Sequence, residues 1–286
     1  MKSDLLALSA ITLWSALAAL GVELAHVPPF LLTGLALLIG SLIALPLSGF
    51  RLATWKVPVR TMLLGVYGLF GFHLLLFLAL RHAPALEANL INYLWPLGMV
   101  VLAPVILPGT RLRAAHLGAA LLGFAGAGVA ILGRTVAGAG LSTEFHSGYL
   151  YALGSAFVWS SYSQGTRRVA HFKTAAVGGF AALSGVLSLI CHFALEPSVT
   201  LSSGDLLRIA LLGIGPLGGA FFLWDAALKC GNPQRIGVFA FLTPLLSTIV
   251  LVATTGQTLQ PSIVVAAAMI VGAAIWGHRV TKAGQH

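Results

Sequence analysis

LLGVYGLFGFHLLLFLALRHAPALEANLINYLWPL, residues 63–97, occurs twice in this chain in recognisable form. Residues 211–245 read LLGIGPLGGAFFLWDAALKCGNPQRIGVFAFLTPL, and at a fixed offset of 148 the two stretches agree at 11 of 35 positions without a gap. Leu and Gly are abundant here, so some matches are chance. The Ala-Leu-basic turn (Ala79-Leu80-Arg81, Ala227-Leu228-Lys229) and the prolines Pro96 and Pro244 are not accounted for that way. Two copies of one structural unit are the reading that follows.

The duplication extends outward from this stretch. At an offset of 145, Trp14-Ser15 meets Trp159-Ser160 and Ala25-His26 meets Ala170-His171. At an offset of 144, Gly128, Ala130 and Ile131 meet Gly272, Ala274 and Ile275. Apolar runs of bilayer-crossing length lie near 4–22, 28–49, 60–80, 85–107 and 114–133, then near 147–165, 174–194, 206–228, 233–255 and 261–278. Ten membrane spans are predicted, and as helices, because an open strand edge has no partner in hydrocarbon. The expected fold is an all-α membrane protein of two five-helix repeats, 1–134 and 147–286, joined by a periplasmic linker at 135–146. Met-Lys before an apolar run resembles a signal peptide, but a segment with a twin in mid-chain belongs to the mature fold.

Composition supports this solvent assignment. Hydrophobic residues make up 58% of the 286 and charged residues 8%, against roughly a quarter charged in soluble domains. The net charge of +9 does not indicate nucleic acid, since the basic residues fall in short loops between apolar runs. An odd number of spans per copy makes the second repeat enter the membrane inverted. With a cytosolic N-terminus, thirteen Lys and Arg lie inside and three, Arg81, Arg134 and Arg208, outside. That bias predicts both termini in the cytosol of a bacterial inner membrane. Cys191 and Cys230 sit near opposite ends of successive spans and are not expected to bridge.

Polar and aromatic positions inside the spans are the candidates for chemistry. Asn89, Asn92, Tyr93 and Pro96 share one face of span 4, and an amide in lipid must find a partner. That face reads either as a solute-contacting stripe, with Trp95 adjoining, or as interhelical hydrogen bonding. Pro96 and Pro244 predict symmetric bends. Trp14 and Trp159 form a pair deep in spans 1 and 6, with Ser155, Tyr162 and Ser163 beside Trp159 at helical spacing. Rings with hydroxyls suit an amphiphilic solute; packing within the bundle is the plainer alternative. Phe70, His73 and Phe77 are expected on one face of span 3, and Phe239 and Thr243, with Ser247, on one face of span 9. Asp225, four residues before Lys229, is set to form an ion pair near the cytosolic end or to act in gating. Gly213 to Gly218 fits a dinucleotide fingerprint only formally, since no βαβ unit surrounds it. No catalytic residues, cofactor or metal are expected, for no serine–histidine–acid set, carboxylate pair or metal cluster falls within one leaflet.

Inverted five-span repeats, tryptophans in spans 1 and 6 and prolines in spans 4 and 9 resemble the drug/metabolite transporter superfamily, and within it the ten-helix branch that includes bacterial aromatic amino acid exporters. The resemblance implies a basket of helices 1, 3, 4, 6, 8 and 9 around a central cavity, with helices 5 and 10 peripheral. It implies aromatic amino acids as substrates, a protein exporting them by alternating access, and a monomer or weak homo-oligomer in the bilayer. Small multidrug exporters of the superfamily depend on a glutamate deep in helix 1, where this chain has Trp14. That departure argues against cationic-drug/proton exchange; with Asp225 the one candidate carboxylate within a span and His73 lacking a carboxylate partner, a facilitator without proton coupling is expected. Other small metabolites (threonine, a nucleoside), aromatic cations, or a non-transporting sensor or scaffold are the alternatives.

Overall fold

A computed structural model describes residues 2–132, 145–255 and 261–283. The expected linker lies outside the described residues up to position 144, and Arg134 and Glu144 with it. The described helical segments group into ten stretches, numbered here α1 to α10. They are α1 (Lys2–Glu23, interrupted at Ala16), α2 (Pro29–Leu47), α3 (Val59–His82) and α4 (Ala85–Asn92, Trp95–Val101, Ala103–Ile106). α5 (Ala114–Leu132), α6 (Gly148–Gly165), α7 (Val177–Leu195) and α8 (Ser203–Cys230) follow. α9 (Pro233–Phe239, Leu242–Thr255) and α10 (Pro261–Ala283) complete the series. By length and composition α1, α2, α3, α8 and the stretch Thr174–Leu195 are able to cross a membrane.

Local chemistry sets where these helices start. Prolines stand at or just before the first turns of α2, α3, α4 and α9, where the missing N–H costs nothing. Ser202 and Asp205 form a reciprocal capping box on α8, and the Asn232 side chain caps α9.

Two of the interruptions have a counterpart in the other half of the chain. α3 carries a five-residue π-helical turn at Tyr67–Gly71, and α8 carries one at Gly215–Gly219, again 148 residues apart. α4 is interrupted at 93–94 and α9 at 240–241, each just before its proline. Pro96 and Pro244 supply no N–H to the carbonyl four residues earlier, so each helix loosens there. The remaining stretches are held by small residues. A methyl group on Gly40 of α2 would lie 2.7 Å from the Gly213 carbonyl oxygen and from the Gly218 Cα of α8. One on Gly126 of α5 would meet Ile270 of α10 at 2.8 Å. Such backbone approach replaces the hydrophobic drive that lipid cannot provide.

Two ends of the bundle are distinguishable. Asp4 and Arg235 pair at 2.6 Å, bringing the start of α1 to the α8–α9 turn. At the other end Arg81 of α3 pairs with Glu196, which follows α7, at 2.8 Å. The first is called here the terminal end.

Candidate functional site

A cavity of about 640 Å³ occupies the bundle between α1, α2, α3, α4, α6, α8 and α9. Its floor is aromatic. Trp14, Trp95, Trp159 and Phe221 pack edge to face or tilted, with ring centroids 5.5–6.3 Å apart among the contacting pairs. From this floor the lining rises away from the terminal end, through His73, Phe77, Asn92 and Tyr93 to Gly21, Ala85 and the exposed Asn89. Thr33 and Leu32 of α2 and Thr243, Pro244 and Ser247 of α9 complete the wall.

The floor is fixed from below and from the side. The Trp14 indole N–H donates to the Pro216 carbonyl at 3.1 Å, inside the π turn of α8. Trp224 lies 5.1 Å from Trp14 and 5.6 Å from Trp95, and its indole N–H donates to the Ser163 hydroxyl at 3.1 Å. Beneath, Lys229 meets Asp225 at 2.6 Å, contacts the Thr174 hydroxyl at 3.3 Å and sits over the Phe172 ring. Arg167 of the α6 end donates to the Gly231 carbonyl at 3.2 Å. With Asp4–Arg235, these contacts join α1, α6, α7, α8 and α9 across the terminal end. The cavity is therefore closed below and accessible above.

Polar atoms in the lining have distinct positions. The His73 Nδ1 lies 2.6 Å from the Leu69 carbonyl oxygen. A carbonyl only accepts, so Nδ1 carries the proton and Nε2 is the acceptor of the neutral ring. Ser155 of α6 donates to the Asn92 side-chain oxygen at 2.8 Å, so Asn92 ties two helices and faces the cavity as well. The Thr243 hydroxyl is buried without a hydrogen-bond partner among the described residues. Among the described residues, no Asp or Glu lines the cavity.

Of the residues singled out in the sequence, Trp14, His73, Phe77, Asn89, Asn92, Tyr93, Trp95, Trp159, Thr243, Pro244 and Ser247 come together here, and Ser155 bonds Asn92 from α6 without lining the cavity. Six others do not line it. Tyr162 and Ser163 lie under the floor, Tyr162 against Trp159 and in the space left by Gly68. Asp225 is buried in its ion pair, with one oxygen unpartnered. Phe239 ends the first segment of α9 beneath the Arg235 guanidinium. Phe70 belongs to the π turn of α3, and Pro96 to the buried start of an α4 segment. Sequence reading missed Phe72, Leu76, Leu217, Phe221 and the α2 residues of the wall. Phe221 was within reach, because it stands 148 residues after His73.

Comparison with known proteins places this bundle. A family profile described as "EamA-like transporter family" matches residues 1–132 and 146–276. The chain belongs to that family. It is thereby a transporter of the drug/metabolite transporter superfamily. A protein of Ancylobacter novellus named aromatic amino acid exporter YddG is 41% identical over 96% of both chains. Proteins of the same name from Escherichia coli and Salmonella typhimurium are 25% and 26% identical, over 99% and 86% of each chain. A solved crystal structure superposes on this chain with a TM-score of 0.90, at 38% identity and 98% coverage of both chains.

Proposed function

We propose that this protein exports aromatic amino acids across a bacterial inner membrane by alternating access, moving them down their own gradient. The aromatic floor carries the reading. Trp14, Trp95, Trp159 and Phe221 form a ring-lined cup of small-ligand size, roughly 300–1,000 Å³. Hydrogen-bonding groups of Asn92, Tyr93 and Thr243 stand on the wall above it. A side-chain ring packs on the floor while the ammonium and carboxylate meet the amides, hydroxyls and ring faces. The name shared by the three relatives supports the same substrate class. An uncharged wall suits a zwitterion and disfavours cationic drugs, which a carboxylate would hold.

In this reading α1–α5 and α6–α10 are two inverted five-helix repeats of ten transmembrane helices. The paired π turns and paired interruptions support that symmetry. The distribution of basic residues supports cytosolic termini, which makes the cavity outward-facing and the Asp225–Lys229 level the cytosolic closure. Residues Trp14, His73, Phe77, Asn89, Asn92, Tyr93, Trp95, Trp159 and Thr243 contact substrate. Pro96 and Pro244 mark the bends about which the two states interconvert.

Proteoliposomes containing only this protein test the function. Phenylalanine and tryptophan should show saturable flux, and alanine, threonine and nucleosides little. Flux of none of them would return the protein to the sensor or scaffold class. Topology has its own test in a Cys191→Ser background, where Cys230 is the remaining thiol. A membrane-impermeant maleimide should label Cys230 from the cytosolic face, and labelling in intact cells overturns the orientation.

A further inference from the structure

A second cavity lies on the outside of the bundle, at the level of the terminal end. It has a volume of about 590 Å³ and is bounded by the loop before α3, the first turns of α3 and one face of α7. Val59, Met62 and Leu63 present one side at i, i+3, i+4 spacing. Gly179, Ala182, Leu183 and Val186 present the other at i, i+3, i+4 and i+7. The groove exists because Gly179 and Ala182 are too small to fill the gap between two otherwise bulky faces. Val59, Leu63, Leu183 and Val186 are 73%, 62%, 41% and 45% exposed, which is sustainable only against hydrocarbon. From Gly179 to Val186 the groove descends seven residues of α7, about 10 Å of helix axis. That depth suits part of an acyl chain entering from the membrane surface.

The rim carries charge of one sign. Lys56 lines the mouth, with Arg51 and Arg60 on either side of it in the chain. Lys173 immediately precedes the turn Thr174–Ala176, which packs on the turn Leu52–Trp55. All four are exposed, and none takes part in the ion pairs found among the described residues. Neither 48–62 nor 166–186 contains an Asp or Glu. An apolar slot leading inward from an uncompensated cluster of cations has the chemistry of an anionic lipid's binding site, with chain and phosphate matched in position.

We propose that this groove is a binding site for an anionic phospholipid, its acyl chain between α3 and α7 and its phosphate held at Lys56 with help from Lys173. The site is separate from the transport cavity. It rests on the reading of these helices as membrane spans and not on the identity of the substrate.

Trp55 lines the groove and serves as its reporter. Protein in nanodiscs is titrated with phosphatidylglycerol or phosphatidylcholine brominated along the acyl chain. Trp55 quenching is taken as the difference between the wild type and Trp55→Phe. Phosphatidylglycerol should quench at a several-fold lower mole fraction than phosphatidylcholine. Each basic side chain removed should cost roughly fivefold, so that Lys56→Gln with Lys173→Gln abolishes the preference. Ala182→Phe, which fills the groove, should remove Trp55 quenching by both lipids. Equal quenching by the two lipids, or a preference that survives the double lysine variant, overturns the proposal. Mass spectrometry of lipid co-purified with the wild type requires no variant. Phosphatidylglycerol should be enriched over its bulk proportion, and absence of enrichment also overturns the site. The Cys230 labelling experiment reports separately on the topology beneath it.

Discussion

α3 and α8 share a backbone device set in different surroundings. Each carries a π-helical turn, and the two turns are 148 residues apart. In α3 the turn contains Phe70 and is followed by His73 and Phe77, both on the cavity wall. In α8 the equivalent positions are Gly218, Phe221 and Asp225. Gly218 lets α2 approach to backbone contact, the Pro216 carbonyl receives the Trp14 indole, and Asp225 holds Lys229 under the floor. Only the His73/Phe221 pair faces the cavity from both helices. Both helices line the cavity, α3 with Phe72, His73, Leu76 and Phe77 and α8 with Leu212, Leu217 and Phe221, but α8 also anchors the floor and closes the terminal end. Two helices alike in sequence thus take unequal shares in lining the cavity and closing it.

The largest effect is expected at the glycine of this comparison. A side chain at Gly218 collides with the Gly213 carbonyl and comes within 2.7 Å of the Gly40 Cα, backbone that cannot yield. Gly218→Val should destabilise the detergent-purified protein by about 3 kcal/mol or prevent its assembly, whereas Phe70→Val should fold. Thermal unfolding of the pair decides it, and equal losses would erase the distinction between the two turns.

Next come the twin positions Phe77 and Asp225. Asp225→Asn removes the buried end of an ion pair whose lysine is part exposed, and should cost about 1–2 kcal/mol of stability. Phe77→Ala removes part of the wall and should reduce flux with a smaller loss of stability. Measuring both variants for both properties tests the division of labour; a reversed pattern breaks it.

Smaller again is the effect of single hydroxyls. Thr243→Val removes a buried hydroxyl that has no partner among the described residues, so stability should be unchanged or slightly higher. If a substrate group meets that hydroxyl, the transport KM should rise about fivefold. An unchanged KM would place Thr243 on the wall without a role in recognition.

Much of this architecture was legible because apolar runs of helix length, matched in sequence at a fixed offset, are a strong signal. The 148-residue offset pairs α3 with α8 and α4 with α9, and the helix interruptions at 93–94 and 240–241 stand next to the expected Pro96 and Pro244. The shared face of Asn89, Asn92 and Tyr93 followed from 3.6-residue periodicity, and all three line the cavity. Periodicity assigns a face and says nothing of depth. Tyr162 lies on the same side of α6 as Trp159 but one turn nearer the terminal end, so it falls under the floor. It also fails where the helix departs from 3.6 residues per turn. Phe70 lies within the π turn, and its spacing to His73 no longer puts the two on one face. Phe239 and Thr243 are separated by the interruption at 240–241, which breaks their common face. The contribution of α2 had no signal, because Leu32 and Thr33 look like any residues of an apolar run.

The central claim is that aromatic solutes move over the Trp159 floor without proton coupling. It is tested most directly by efflux of radiolabelled phenylalanine from proteoliposomes at equal pH, with and without a protonophore. Wild-type efflux should be unaffected by the protonophore. Losing one stacking partner is worth on the order of 1 kcal/mol, so Trp159→Ala and Tyr93→Ala should slow efflux several-fold at sub-saturating substrate while remaining folded. Wild-type rates in both variants, or uphill accumulation driven by an imposed pH gradient and lost in His73→Ala or Asp225→Asn, would contradict the account.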